Sequence, residues 1–86
     1  MKEFSYVIKD SVGIHARPAG LLVNEVKSLA PTKVYLTKAG KKVDAERLFS
    51  VLSLGVKCGE EVLVSVEGKN EEKAAAQLEE FFKNNL

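Results

Sequence analysis

The residues best suited to chemistry stand together in Gly13-Ile14-His15-Ala16-Arg17-Pro18-Ala19. His15 is the only histidine of the chain. A neutral imidazole keeps one ring nitrogen with a free lone pair, and that nitrogen can attack phosphorus and hold the group as a phosphohistidine. The position matters as much as the residue. Pro18 suits a first helical turn, where its missing N–H costs little. The first N–H groups of a helix lack partners within it, and with the positive end of the macrodipole they form a seat for phosphate. A phosphoryl group on the ring falls among those donors, and the Arg17 guanidinium, two residues on, can add a charge-assisted contact. Gly13 gives the preceding loop freedom to bring backbone close to an anion. Phosphoryl transfer needs little beyond such positioning and charge stabilisation.

Residue types alone leave a plainer reading open, in which His15 is a helix cap or a half-exposed surface residue. Other chemistries find less support. One histidine and a lone Cys58, far apart in sequence, do not make a metal site. Glycine patterns of P-loops and dinucleotide folds are absent, as is a nucleophile elbow. No cofactor is implied.

A second stretch, Arg47-Leu48-Phe49-Ser50-Val51-Leu52-Ser53-Leu54-Gly55, carries too many apolar residues for one buried stripe. Val51 and Leu54 suit the core. Some of Leu48, Phe49 and Leu52 should then face outward as a docking patch, unless the helix is buried on several sides.

The elements that position these stretches follow from periodicity. Residues 2–9 alternate, with Phe4, Tyr6 and Ile8 on one face, and predict a strand. Residues 16–29 place Ala19, Leu22, Val23, Val26 and Leu29 at helical spacing, and Pro31 ends that helix. Strands are predicted over 33–37 and 41–44, joined by a turn at Ala39-Gly40. A short helix over 47–54 closes on Gly55 in the left-handed region. Cys58-Gly59 turns the chain into a strand over 60–67, which Gly68 breaks. Asn70 should cap a last helix, with Glu71 and Glu72 in its first turn and Ala74, Leu78, Phe81 and Phe82 on its apolar side. The order is βαββαβα. It predicts an α+β fold in which one face of a four-stranded antiparallel sheet is covered by three helices. The other face meets water through Ser5, Lys9, Thr37 and Ser65.

Eighty-six residues allow one domain, residues 1–86, and the ordinary 45% apolar content argues against disorder. The net charge of +1 is too balanced for a protein that holds nucleic acid by bulk charge, and Tyr35 is the only obvious aromatic for an open sheet face. No nucleic-acid partner is expected. Charge is nonetheless uneven: residues 1–47 hold nine basic and five acidic residues, whereas 48–86 hold four and seven. A basic N-terminal surface facing an acidic or anionic partner is one consequence. MKEFSYVIKD lacks an apolar signal region, and no apolar run reaches membrane-span length, so no membrane insertion is expected. A single cysteine fits a reducing, cytoplasmic setting.

Gly-Ile-His-Ala-Arg-Pro-Ala at 13–19 resembles the active-site signature of the HPr family, the histidine-containing phosphocarriers of the bacterial sugar phosphotransferase system. Val51-Leu52-Ser53-Leu54-Gly55 resembles the close of that family's second signature. The resemblance spans essentially the whole chain. It implies an open-faced β-sandwich and a carrier that is not itself an enzyme. His15 would accept a phosphoryl group on Nδ1 from phosphorylated enzyme I and pass it to the A components of sugar-specific enzymes II. Arg17 would steady the phosphate, the N–H groups of Ala16 and Arg17 would cradle it, and Gly13 and Pro18 would be structural parts of the site. Leu48, Phe49 and Leu52 would dock partners. A monomer is expected. The alternative is a regulatory carrier, or one serving a nitrogen-related or dihydroxyacetone kinase branch. One departure stands out: Arg47 falls where many relatives carry a regulatory serine, so that serine is absent. Val12 replaces a residue that is often Ser or Thr. Cys58 receives no role.

Overall fold

The computed structural model describes residues 1–86. Seven elements follow one another: β1 (Lys2–Val7), α1 (Ala16–Ser28), β2 (Lys33–Lys38), β3 (Lys41–Asp44), α2 (Leu48–Ser53), β4 (Glu61–Glu67) and α3 (Glu71–Asn85). The strands form one antiparallel sheet in the order β1-β4-β2-β3. The order, the antiparallel sheet and the three helices agree with the sequence reading, and boundaries move by two residues at most. β1 ends at Val7, two residues before its predicted end at Lys9.

Alternation along the strands builds the inner face. Val62, Val64 and Val66 of β4 are fully buried. In register, Val64 lies between Phe4 of β1 and Leu36 of β2, and Val66 stands opposite Val34. The β2–β3 hairpin closes through Ala39 (φ 49°) and Gly40 (φ 82°). Two left-handed residues in a two-residue turn match the right-handed twist of the flanking strands.

Each helix lays one stripe on this face. Leu22, Val23 and Val26 of α1, Val51 of α2, and Ala74, Leu78 and Phe82 of α3 join the same buried cluster as the strand residues. α3 packs on β1 and β4, α1 meets α2 and α3, and α2 lies by β3. Phe82 fixes α3 against β1: its ring makes edge-on contacts with Tyr6 at 5.5 Å and Phe4 at 6.0 Å, and with neighbouring Phe81 at 6.2 Å. Such pairs add to the energy of burial itself.

Two local expectations are corrected. Ser65 belongs to the open face but is buried. β4 is a central strand, so Ser65 sits between Glu3 and Tyr35, both longer. Its hydroxyl donates to Glu3 Oε2 at 3.0 Å, and Lys42 Nζ covers the Tyr35 ring at 4.7 Å. Asn70 stands at the N-cap of α3 but its side chain caps nothing. Its ψ of 33° departs from the extended backbone that aims a capping oxygen at the first turn. Glu71 supplies local order instead, accepting from Gly68 N–H at 3.3 Å and pairing with the Met1 amino group at 3.1 Å.

Candidate functional site

His15 is the N-cap residue of α1, with extended backbone (φ −117°, ψ −177°). Its carbonyl accepts the first helical hydrogen bond, from Ala19 N–H at 2.9 Å. Its side chain does not fold back to cap the helix. The ring is therefore available, with 39% of the side chain exposed.

Ahead of the ring, the helix start is unspent. The N–H groups of Ala16 and Arg17 meet no acceptor in the protein, and Pro18 has none to offer. Two free donors at the positive end of a 13-residue helix can receive an anion. The Arg17 side chain is exposed and enters no ion pair. Pro18 is buried, which anchors this first turn in the core.

The loop before His15 rests on the segment after α2. Ile14 N–H donates to the carbonyl of Val56 at 2.9 Å. Gly13 has φ +81°, and a Cβ there would lie 2.4 Å from Val56 O and 2.8 Å from Lys57 Cα. The close approach of Gly13 is thus to residues 56–57. That supporting segment is itself tied down. Lys38 Nζ donates to Gly55 O at 2.9 Å and to Glu60 Oε1 at 2.8 Å, and Lys57 N–H donates to the same oxygen at 2.7 Å. These contacts, the lysine first and the backbone N–H second, hold the Glu60 carboxyl below its usual range. Ile8 and Gly59 close the end of β1 onto the same segment, with Gly59 N–H donating to Ile8 O at 2.7 Å.

Sequence reasoning missed Asp10. Its Oδ1 accepts from Val12 N–H at 2.9 Å, an aspartate turn of the kind that Asp followed two residues later by a free N–H can form. Its Oδ2 lies 3.9 Å from His15 Nε2. The local turn could have been suspected from Asp10-Ser11-Val12-Gly13; the proximity to His15 depends on how the turn folds.

α2 presents the second candidate surface. Val51 is fully buried and Leu54 nearly so, while Leu48 and Leu52 are half-buried against the core. Phe49 is 84% exposed. Arg47, the N-cap of α2, is exposed and its side chain caps nothing. Because α1 packs on α2, the His15 and Phe49 stretches are carried by adjoining helices. No helix is long and apolar enough to cross a membrane, and no three His, Cys, Asp or Glu residues cluster to hold a metal ion.

Residues 2–84 match the family described as the PTS HPr component phosphorylation site. The phosphocarrier protein HPr of Mycoplasma genitalium is 32% identical over 85 residues, covering 99% of this chain and 97% of the relative. A crystal structure of HPr from Thermoanaerobacter tengcongensis superposes with a TM-score of 0.92 at 36% identity, covering 99% of this chain and 94% of that one. A dimeric crystal structure of HPr from the same organism superposes with a TM-score of 0.75 at 37% identity, covering 98% and 95%.

Proposed function

This chain belongs to the HPr family of phosphocarrier proteins of the phosphotransferase system, and on that premise we propose that it takes a phosphoryl group from phosphorylated enzyme I onto His15 and delivers it to the A components of sugar-specific enzymes II. The supporting observation is the half-exposed His15 ring at an uncapped helix start, with the N–H groups of Ala16 and Arg17 unpaired. In this reading Nδ1 of His15 carries the phosphorus. The two N–H groups and the Arg17 guanidinium share the new negative charge. Gly13 and Pro18 hold the turn in place. Phe49, flanked by Leu48 and Leu52, meets both donor and acceptor proteins, and residues 1–86 act as one monomeric domain in the cytoplasm.

A carrier must bind two partners in turn and release each quickly. One aromatic side chain on an exposed face, with Arg17 and Arg47 exposed at the starts of the two adjoining helices, suits brief contacts with modest buried area and charge steering.

The test is incubation with enzyme I and phosphoenolpyruvate, read by intact mass. Gain of a single acid-labile phosphoryl group, lost in His15→Ala, is the expected result. A wild-type protein that gains none with a cognate enzyme I refutes the carrier reading. Sedimentation of the phosphorylated protein checks the monomer.

A further inference from the structure

We infer that Asp10 is a positioning residue for His15: its carboxylate faces the Nε2 edge of the ring and draws the proton to that nitrogen, so that Nδ1 is the nitrogen left free to bond phosphorus. The inference deepens the carrier reading and rests on it for the reaction, though not for the ring's protonation pattern.

The main chain and one carboxylate oxygen of Asp10 are already committed. Its N–H donates to the main-chain oxygen of Leu86 at 2.8 Å. Its carbonyl accepts from Gly13 N–H at 2.9 Å, and its Oδ1 accepts from Val12 N–H at 2.9 Å. Two hydrogen bonds pin the main chain and one fixes the short side chain with its two rotatable bonds, so one polar atom remains. That atom, Oδ2, is the one 3.9 Å from His15 Nε2. The carboxylate is about seven-tenths buried, so its charge acts on the ring through a partly desolvated path.

A neutral imidazole has one N–H and one lone pair, and a nearby anion favours the tautomer that turns the N–H toward it. Here that places hydrogen on Nε2 and the lone pair on Nδ1. In the transfer, the bond between phosphorus and the donor's leaving atom breaks with its electron pair as the Nδ1–P bond forms. The Nε2 proton stays, and the ring becomes a cation. Asp10 then offsets the positive charge on the edge where it resides, while Arg17 and the helix N–H groups face the phosphoryl oxygens. Carboxylates that orient a histidine in this way change its reactivity without touching the reacting atom.

Two readouts test the inference. Asp10→Asn retains an oxygen to accept from Val12 N–H and removes the charge. Nitrogen-15 spectra of the neutral His15 ring should show the fraction protonated on Nδ1 rising in Asp10→Asn above wild type. Phosphoryl acceptance from enzyme I should slow on the order of tenfold, the lower range for loss of an orienting carboxylate, and Asp10→Glu should recover part of the loss. An unchanged tautomer ratio in Asp10→Asn overturns the inference and leaves the carrier reading intact. A wild-type ring protonated mainly on Nδ1 overturns it with no variant needed. Failure of wild type to gain phosphate refutes the carrier reading instead, and leaves the tautomer measurement valid.

Discussion

Gly13 and Val56 approach so closely that a methyl group on the first would lie 2.4 Å from the carbonyl oxygen of the second. The contact joins the loop before His15 to the segment after α2. Gly13→Ala must relieve both this overlap and a φ of +81°. We expect it to destabilise the fold by about 2–4 kcal/mol, in the range of backbone-strain and overpacking effects. Thermal or urea unfolding measures this, and a loss under 0.5 kcal/mol would mean the loop shifts freely.

Phe49 and Val51 lie two residues apart on α2 and face opposite surroundings, one mostly in solvent and one in the core. Phe49→Ala should change stability by no more than about 0.5 kcal/mol. It should nonetheless slow phosphoryl exchange with both enzyme I and an A component by roughly tenfold, as loss of an aromatic anchor does. Val51→Ala should do the reverse, costing about 1–3 kcal/mol by leaving a cavity and transferring normally while folded. Stopped-flow transfer rates beside urea titrations separate the two.

Phe82 ties α3 to β1 through the Phe4 and Tyr6 rings. Phe82→Ala should cost about 3–5 kcal/mol, a large part of the ~5–15 kcal/mol that holds a domain together. Chemical denaturation followed by circular dichroism checks it.

Glu60 sets an acid limit. Its carboxyl titrates below the usual glutamate range in the folded chain because of Lys38 and the Lys57 N–H. A lowered folded value means the unfolded chain binds the proton more readily. The contribution is fully present above the unfolded value of about 4.3 and is lost as pH falls through the lower folded value. Glu60→Gln should therefore flatten the fall in stability on the acid side of pH 5 and leave the profile above it nearly parallel to wild type. Urea midpoints across pH 3–7 provide the measurement.

Much of the fold is legible in the sequence because period and punctuation agree. Phe4, Tyr6 and Ile8 alternate, Leu22, Val23 and Val26 repeat helically, and Ala39-Gly40 and Gly55 mark ends that the backbone confirms. Ser65 is buried against expectation because alternation tells which face a residue occupies, not how far its neighbours overhang it. Asn70 has the right type for a cap, but capping depends on a ψ that composition does not set. The His15 motif is visible as a string. Asp10 is not, because its carboxylate reaches the ring only after an aspartate turn folds and Leu86 and Gly13 pin its main chain.

The bare start of α1 has a thermodynamic consequence. A side chain that caps a helix's leading amides contributes ~1 kcal/mol, and α1 forgoes it at His15, as α2 does at Arg47 and α3 at Asn70. In the carrier reading proposed above, an arriving PO₃ group supplies the missing acceptor, so cargo and scaffold become linked: whatever steadies the loaded helix also favours loading. The charged carrier should accordingly melt later than the empty one and exchange its Ala16 and Arg17 amide hydrogens more slowly. Discharge would return those amides to water, so that each delivery leaves behind a slightly looser molecule, ready to be refilled.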